Sequence, residues 1–153
     1  WDGTSESDEL FPGNDAVAVG FLAGNVEGLE PGFYLLDREK KTISNVFHKS
    51  VIADMMHICL DQAWLANCAV HFLFLTNMQV LETSRGPRGY RHAMLAAGRL
   101  GQRLYVAATA MRLGCCGIGA FYDDEAVRLL GLNSESRLLY LVAVGPVKKW
   151  STK

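Results

Sequence analysis

YRHAMLAAGRLGQRLYVAATAMRL, residues 90–113, is the longest periodic segment of the chain. Met94, Ala97, Gly98, Gly101, Leu104, Tyr105, Ala108 and Met111 recur at helical intervals and form one stripe. Ala93, Ala96, Ala107 and Ala110 add to its small-residue character. A glycine inside a helix costs up to about 1 kcal/mol. Two of them on this stripe predict that another backbone, from a partner helix or a sheet, comes close to it. Gly114 is the expected helix stop. Arg88, Arg91, Arg99 and Arg103 lie off the stripe and read as a solvated or salt-bridged face.

On the amino-terminal side, Ala69–Thr76 is a continuous apolar run of strand formers, expected to be a central strand. Lys49 to Ala66 has helical spacing through Val51, Ile52, Met55, Met56, Cys59, Leu60 and Ala63. Ala16–Phe21 and Phe33–Leu36 read as two strands. The turn NVEGLEPG (25–32) joins them, which predicts a hairpin. On the carboxyl-terminal side, LGCCGIGAF (113–121) is a small-residue loop or short strand. Asp123 is placed to cap a short helix that Gly131 ends, and Leu138–Val144 is the last strand. The order predicts an α+β fold: one mixed or antiparallel sheet with helices packed on it.

The chain has 153 residues, enough for one domain with a real core. It is 50% hydrophobic and 20% charged, which excludes general disorder and a disulfide-stapled scaffold. Fifteen basic side chains oppose sixteen acidic ones, so charge gives no case for nucleic acid or a membrane as the main partner. Residues 1–15, WDGTSESDELFPGND, are acidic and polar and read as a flexible lead-in or linker, not a signal peptide. A first residue of Trp suggests a processed product or a piece of something longer. Cys59, Cys68, Cys115 and Cys116 form no C-x-x-C pair, and the four histidines match no zinc spacing. No metal is therefore expected, and buried free thiols in a reducing cytoplasm are the reading preferred.

The best candidate for chemistry is Gly114–Gly119. Three glycines in six residues let a ligand approach the backbone and meet its N–H groups. The segment matches neither dinucleotide nor P-loop spacing, and spacing alone favours a tight structural turn. Asp123-Asp124 reads as a helix start before it reads as a catalytic carboxylate pair.

At this point the residues carry a resemblance. NVEGLEPGFYLLD (25–37) is similar to the strand-turn-strand signature of SagB-type dehydrogenases. These form a branch of the FMN-dependent nitroreductase family that includes azoline oxidases of modified peptides. RGYR (88–91) resembles the opening of that family's long central helix. AGRLGQRLYVAATAMRLGCCGIGAFYDDEAVRLLGL (97–132) resembles the helix, the flavin-contacting loop and the short helix after it, and LLYLVAVG (138–145) the closing strand. The resemblance implies a nitroreductase-like sheet packed with helices, a homodimer joined through the long helix, and FMN at that interface. It assigns Cys116, Gly117, Ile118, Gly119 and Ala120 to the flavin, with the Gly119 amide facing N5. A donor there would stabilise the anion that builds as hydride arrives.

The resemblance thus implies an FMN-dependent oxidoreductase in the cytoplasm, with NAD(P)H as a candidate electron donor and a small molecule or peptide as substrate. The family's early Arg-x-Ser-x-Arg segment, which helps hold the phosphate, has no counterpart. Residues 16–150 are therefore expected to be a domain incomplete at its amino-terminal side, with Lys148 or Lys149 the candidates for a phosphate contact. Ser84 and Arg85 stand where azoline oxidases have a Lys-Tyr pair, and Ala96 and Arg103 where the helix usually has Glu and Asn. No catalytic residue is assigned. The alternative to an enzyme is a non-catalytic dimerisation or scaffold module.

Overall fold

A computed structural model describes residues 16–147. Six strands are threaded by four α-helices. They are β1 (Ala18–Ala23), β2 (Gly32–Asp37), β3 (Thr42–Phe47), α1 (Ile52–Ile58), β4 (Val70–Asn77), α2 (Met78–Arg85), α3 (Gly89–Ala110), β5 (Gly114–Ile118), α4 (Asp123–Leu129) and β6 (Ser136–Gly145). The strands form one sheet in the order β3-β2-β1-β4-β6-β5, and every neighbouring pair is antiparallel. The expected α+β class, the β1–β2 hairpin and the central place of Val70–Asn77 all stand.

Strand alternation divides the core between two faces. Leu22, Phe33, Leu73, Leu75, Leu141 and Ile118 pack on one face against α1, α4 and the 3-10 turn Ala63–Asn67. Val19, Phe74, Val142 and Val144 pack on the other against α2 and α3. β4 is covered on both sides, which is why its sequence is apolar without alternation.

The structure differs from the sequence expectations in several places. The helix expected over Lys49–Ala66 stops at Ile58, because Leu60 and Asp61 both take positive φ (61° and 56°) and turn the chain out. A 3-10 turn, Ala63–Asn67, fills the remainder. β3 and α2 were not legible. β3 is an edge strand with five of its six residues exposed, so it carries no burial pattern. α2 starts where the Asn77 side chain accepts a hydrogen bond from the Val80 N–H at 3.0 Å. Removing that cap by Asn77→Ala should lower stability by about 1 kcal/mol in denaturant titration, whereas Asn77→Asp should cost far less.

The long helix ends differently too. Gly114 does not stop it; Met111 is the C-cap, and Arg112 takes the left-handed position (φ 59°) usually given to glycine. The Leu113 N–H closes the motif on the Ala108 carbonyl at 2.8 Å. The buried face is also rotated from the expected stripe. Ala93, Ala96, Ala97, Gly101 and Ala108 are buried, while Met94, Gly98 and Met111 are exposed. Finally, Asp123 is not the cap of α4. Tyr122 holds that position without a side-chain bond, and Asp123, Asp124 and Glu125 supply negative charge in the first turn.

Candidate functional site

Of the two expectations for this segment, loop or short strand, the strand is found: Gly114–Ile118 is an edge strand, paired in the sheet with β6 alone among the described strands. The reversal at Arg112 turns the chain out of α3 and lays β5 back beneath it. Alternation then sorts the five candidate residues. Cys115 and Gly117 face α3, while Cys116 and Ile118 face the other way. Ile118 is buried against the α1 and α4 side, so its side chain belongs to the core. Cys116 is exposed, and Gly119 and Ala120 follow the strand and are exposed as well.

Gly117 sits in a slot between two tyrosines that the sequence did not single out as functional. A Cβ on Gly117 would overlap the Tyr140 hydroxyl. Its backbone N–H donates to the Tyr105 hydroxyl at 2.6 Å. The Tyr140 ring rises from β6, stacks on Phe74 (centroids 5.9 Å apart) and passes under Gly101 of α3. A Cβ on Gly101 would lie 2.7 Å from that ring. The small residue in the helix therefore makes room for an aromatic side chain rather than for another backbone. Gly98 faces open space, so it has no such role among the described residues. The available signal was slight: Tyr140 is the one polar group in LLYLVAV, and Tyr105 is the one aromatic member of the stripe expected on α3.

The electrostatics do not favour thiol chemistry. Burial pushes the Cys59 thiol up to about 11. Burial, and then the neighbouring Cys116, raise the Cys68 and Cys115 thiols as well. These three groups are held as protonated thiols, the form that does not attack or bind metal. Of the thiols expected to be buried only Cys59 is; Cys68 and Cys115 are half-buried and Cys116 is exposed. Among the described residues no cluster of His, Cys, Asp and Glu could hold a metal ion. No helix there is long and apolar enough to cross a membrane. Tyr140 is shifted up by desolvation and by the nearby Tyr105, so its hydroxyl stays a neutral hydrogen-bonding group.

The outer end of β5 is open: among the described residues nothing lies within 4 Å of where a Gly119 Cβ would stand, and Ala120 beside it is exposed, so the backbone there is accessible to a flat ring. Lys148, the expected phosphate contact, lies outside the described residues. Ser84 spends its hydroxyl proton on the Val80 carbonyl at 2.8 Å within α2, which leaves it unsuited to the work of the missing Lys-Tyr pair. Ala96 is fully buried, and a carboxylate there would enter an apolar core.

A separate shallow groove of about 540 Å³ lies between α1 and α4 and is lined in part by Asp54, His57, Glu125 and Arg128. His57 bonds Asp61 at 2.7 Å, which raises its pKa, and Glu125 stands 3.9 Å from its other ring nitrogen. Those helices cover the opposite face of the sheet from α3 and Gly117.

Known proteins resemble the chain, three of them as follows. The "putative nitroreductase MJ1384" of Methanocaldococcus jannaschii is 28% identical over 115 residues, 75% of this chain and 58% of that protein. A crystal structure of a "putative nitroreductase" from Anabaena variabilis superposes with a TM-score of 0.84 at 27% identity, over 88% of this chain and 28% of that one. The NADPH:FMN oxidoreductase from Vibrio harveyi, solved with NAD+, shares the fold at a TM-score of 0.57 and 17% identity, over 99% of this chain and 64% of that one. The chain thus spans somewhat over half the length of its curated relative and a smaller part of the Anabaena protein. With the sheet, the long helix and the glycine-bearing edge strand in place, the match of residues 31–146 to the nitroreductase family model makes this chain a member of the nitroreductase family.

Proposed function

We propose that the chain supplies the flavin-contacting part of an FMN-dependent oxidoreductase of the SagB-type branch, working as a homodimer joined along α3. The observation that carries this reading is the outer end of β5, where Gly119 and Ala120 offer exposed backbone with open space above it. Bound FMN would supply a two-electron acceptor, the chemistry that no side chain of this site provides. The protein's own part is to bind and orient it. Tyr140 floors the strand beneath Gly117, Tyr105 holds the Gly117 amide, and Gly119 follows Ile118, the last residue of the strand.

The dimer reading rests on the outer side of α3. Tyr90, Met94, Leu95 and Val106 are all exposed there, and Leu95 and Val106 each show 62% of their surface. Along this helix of 22 residues, about 33 Å long, these residues alternate with exposed Arg91, Arg99, Gln102 and Arg103, a mixed apolar and polar surface for a second copy. NAD(P)H as donor and a small molecule or peptide as substrate belong to the same proposal. The Vibrio protein, an NADPH:FMN oxidoreductase, pairs FMN with a nicotinamide.

The test is a titration of the purified full chain with FMN, followed by visible absorption and by sedimentation. The expected result is a saturable flavin spectrum from a particle of twice the chain mass. A dimer that takes up no flavin would favour the scaffold module instead. A monomer without flavin would overturn both readings.

A further inference from the structure

Edge strands leave every second backbone N–H pointing away from the sheet. On β5 these belong to the residues in phase with Gly117, and Gly117 is the one whose amide is taken by a side chain, the Tyr105 hydroxyl at 2.6 Å. The bond is short for N–H to O and reaches from α3 to a strand 12 positions later. Below the same residue the Tyr140 hydroxyl leaves no room for a Cβ. Gly117 is thus held from two directions, while Gly119, two residues on, meets nothing within 4 Å of its Cβ position.

We propose that Tyr105 is a positioning residue for the flavin. By fixing the Gly117 amide it sets the height of β5 against α3, and so aims the backbone at Gly119 and Ala120 at the ring. It also removes the Gly117 donor from competition with the Gly119 amide, which lies just past the end of the strand. The role needs only the hydroxyl's lone pair; no proton is transferred. This inference rests on the proposed function and deepens it.

The experiment compares the wild-type full chain with Tyr105→Phe, which keeps the ring and its packing. Amide exchange at Gly117 reports the tether without any flavin. It should quicken by about tenfold or more in Tyr105→Phe, with the unfolding midpoint of the apoprotein little changed. FMN affinity should fall by roughly fivefold or more, and the visible band of the bound flavin should shift, because the donor facing the ring has moved. A purely structural tyrosine would not move that band. If the wild type binds FMN while the variant shows the same affinity and spectrum, this proposal is overturned and the flavin reading survives. If the wild type takes up no FMN, the flavin reading fails first and this proposal falls with it.

Discussion

Gly117→Ala should be among the most damaging single-methyl changes the chain can suffer. The new Cβ would occupy the Tyr140 hydroxyl position and come within 3.0 Å of Tyr140 Cε2. The tyrosine has nowhere to withdraw, because Gly101 closes on the ring from α3 and Phe74 stacks on it. Either the ring leaves its rotamer or β5 lifts from α3 and breaks the Tyr105 bond. Overpacking of this kind costs about 1–3 kcal/mol, and an unpaired, part-buried amide adds about 1–3 kcal/mol. For a domain of this size the unfolding midpoint should drop by roughly 5–20 °C in calorimetry. The geometry also names the cure. Tyr140→Leu empties the slot, so Gly117→Ala should cost much less in that background. A double-mutant cycle with no coupling between positions 117 and 140 would contradict the account.

The second large effect belongs to His71. It is fully buried on the α1 side of β4, and its Nε2–H donates to the Leu65 carbonyl at 3.0 Å. Nδ1 is buried with no partner among the described residues. This bond fixes the 3-10 turn Ala63–Asn67 to the sheet. His71→Ala would leave a ring-sized cavity and an unpaired carbonyl, a combined loss of about 3–5 kcal/mol, enough to unfold a marginal domain.

The same residue predicts a pH dependence. Burial lowers the His71 pKa below its ordinary 6.5, and the Leu65 bond opposes this only in part. The unfolded chain then binds a proton that the folded chain refuses. Stability should fall as pH drops below about 6.5, by up to ~1.4 kcal/mol per unit, until the folded pKa is reached. His57 has the opposite sign. Its bond to Asp61 raises its pKa, so its contribution is complete below about 6.5 and is lost as pH rises through the raised value. It lies on the surface, where such pairs are weak, so the buried histidine should dominate. Urea titrations of wild type and His71→Leu between pH 5 and 8 decide the point. Equal slopes in both would remove His71 as the cause.

The fold was legible where residues were buried in a regular pattern. β1, β2, β4 and β6 declared themselves as short runs of buried apolar strand formers, and α3 by its helical period, although its buried face is rotated from the expected stripe. What failed was set by backbone or by exposure. Leu60, Asp61 and Arg112 adopt left-handed φ that no composition rule assigns to them, and these three positions set where α1 and α3 end. β3 buries too little to leave a signature. Of the expected site, the glycines of β5 were found from sequence, but the reason for Gly117 was not. Its partners come from α3 and β6, and only the register Gly117↔Val142 and the packing of α3 bring Tyr105 and Tyr140 to it.

The two borders of the sheet differ in how they meet other molecules. At β5 a tyrosine hydroxyl already occupies the Gly117 donor, and α3 runs along the strand. A foreign peptide would have to displace both before it could pair. At β3 no such guard stands among the described residues: Ile43 and Val46 are about half exposed, and lysines before and after the strand discourage pairing. Crowded or partly unfolded molecules should therefore begin to aggregate from the β3 border, leaving the glycine border soluble and free for its ligand.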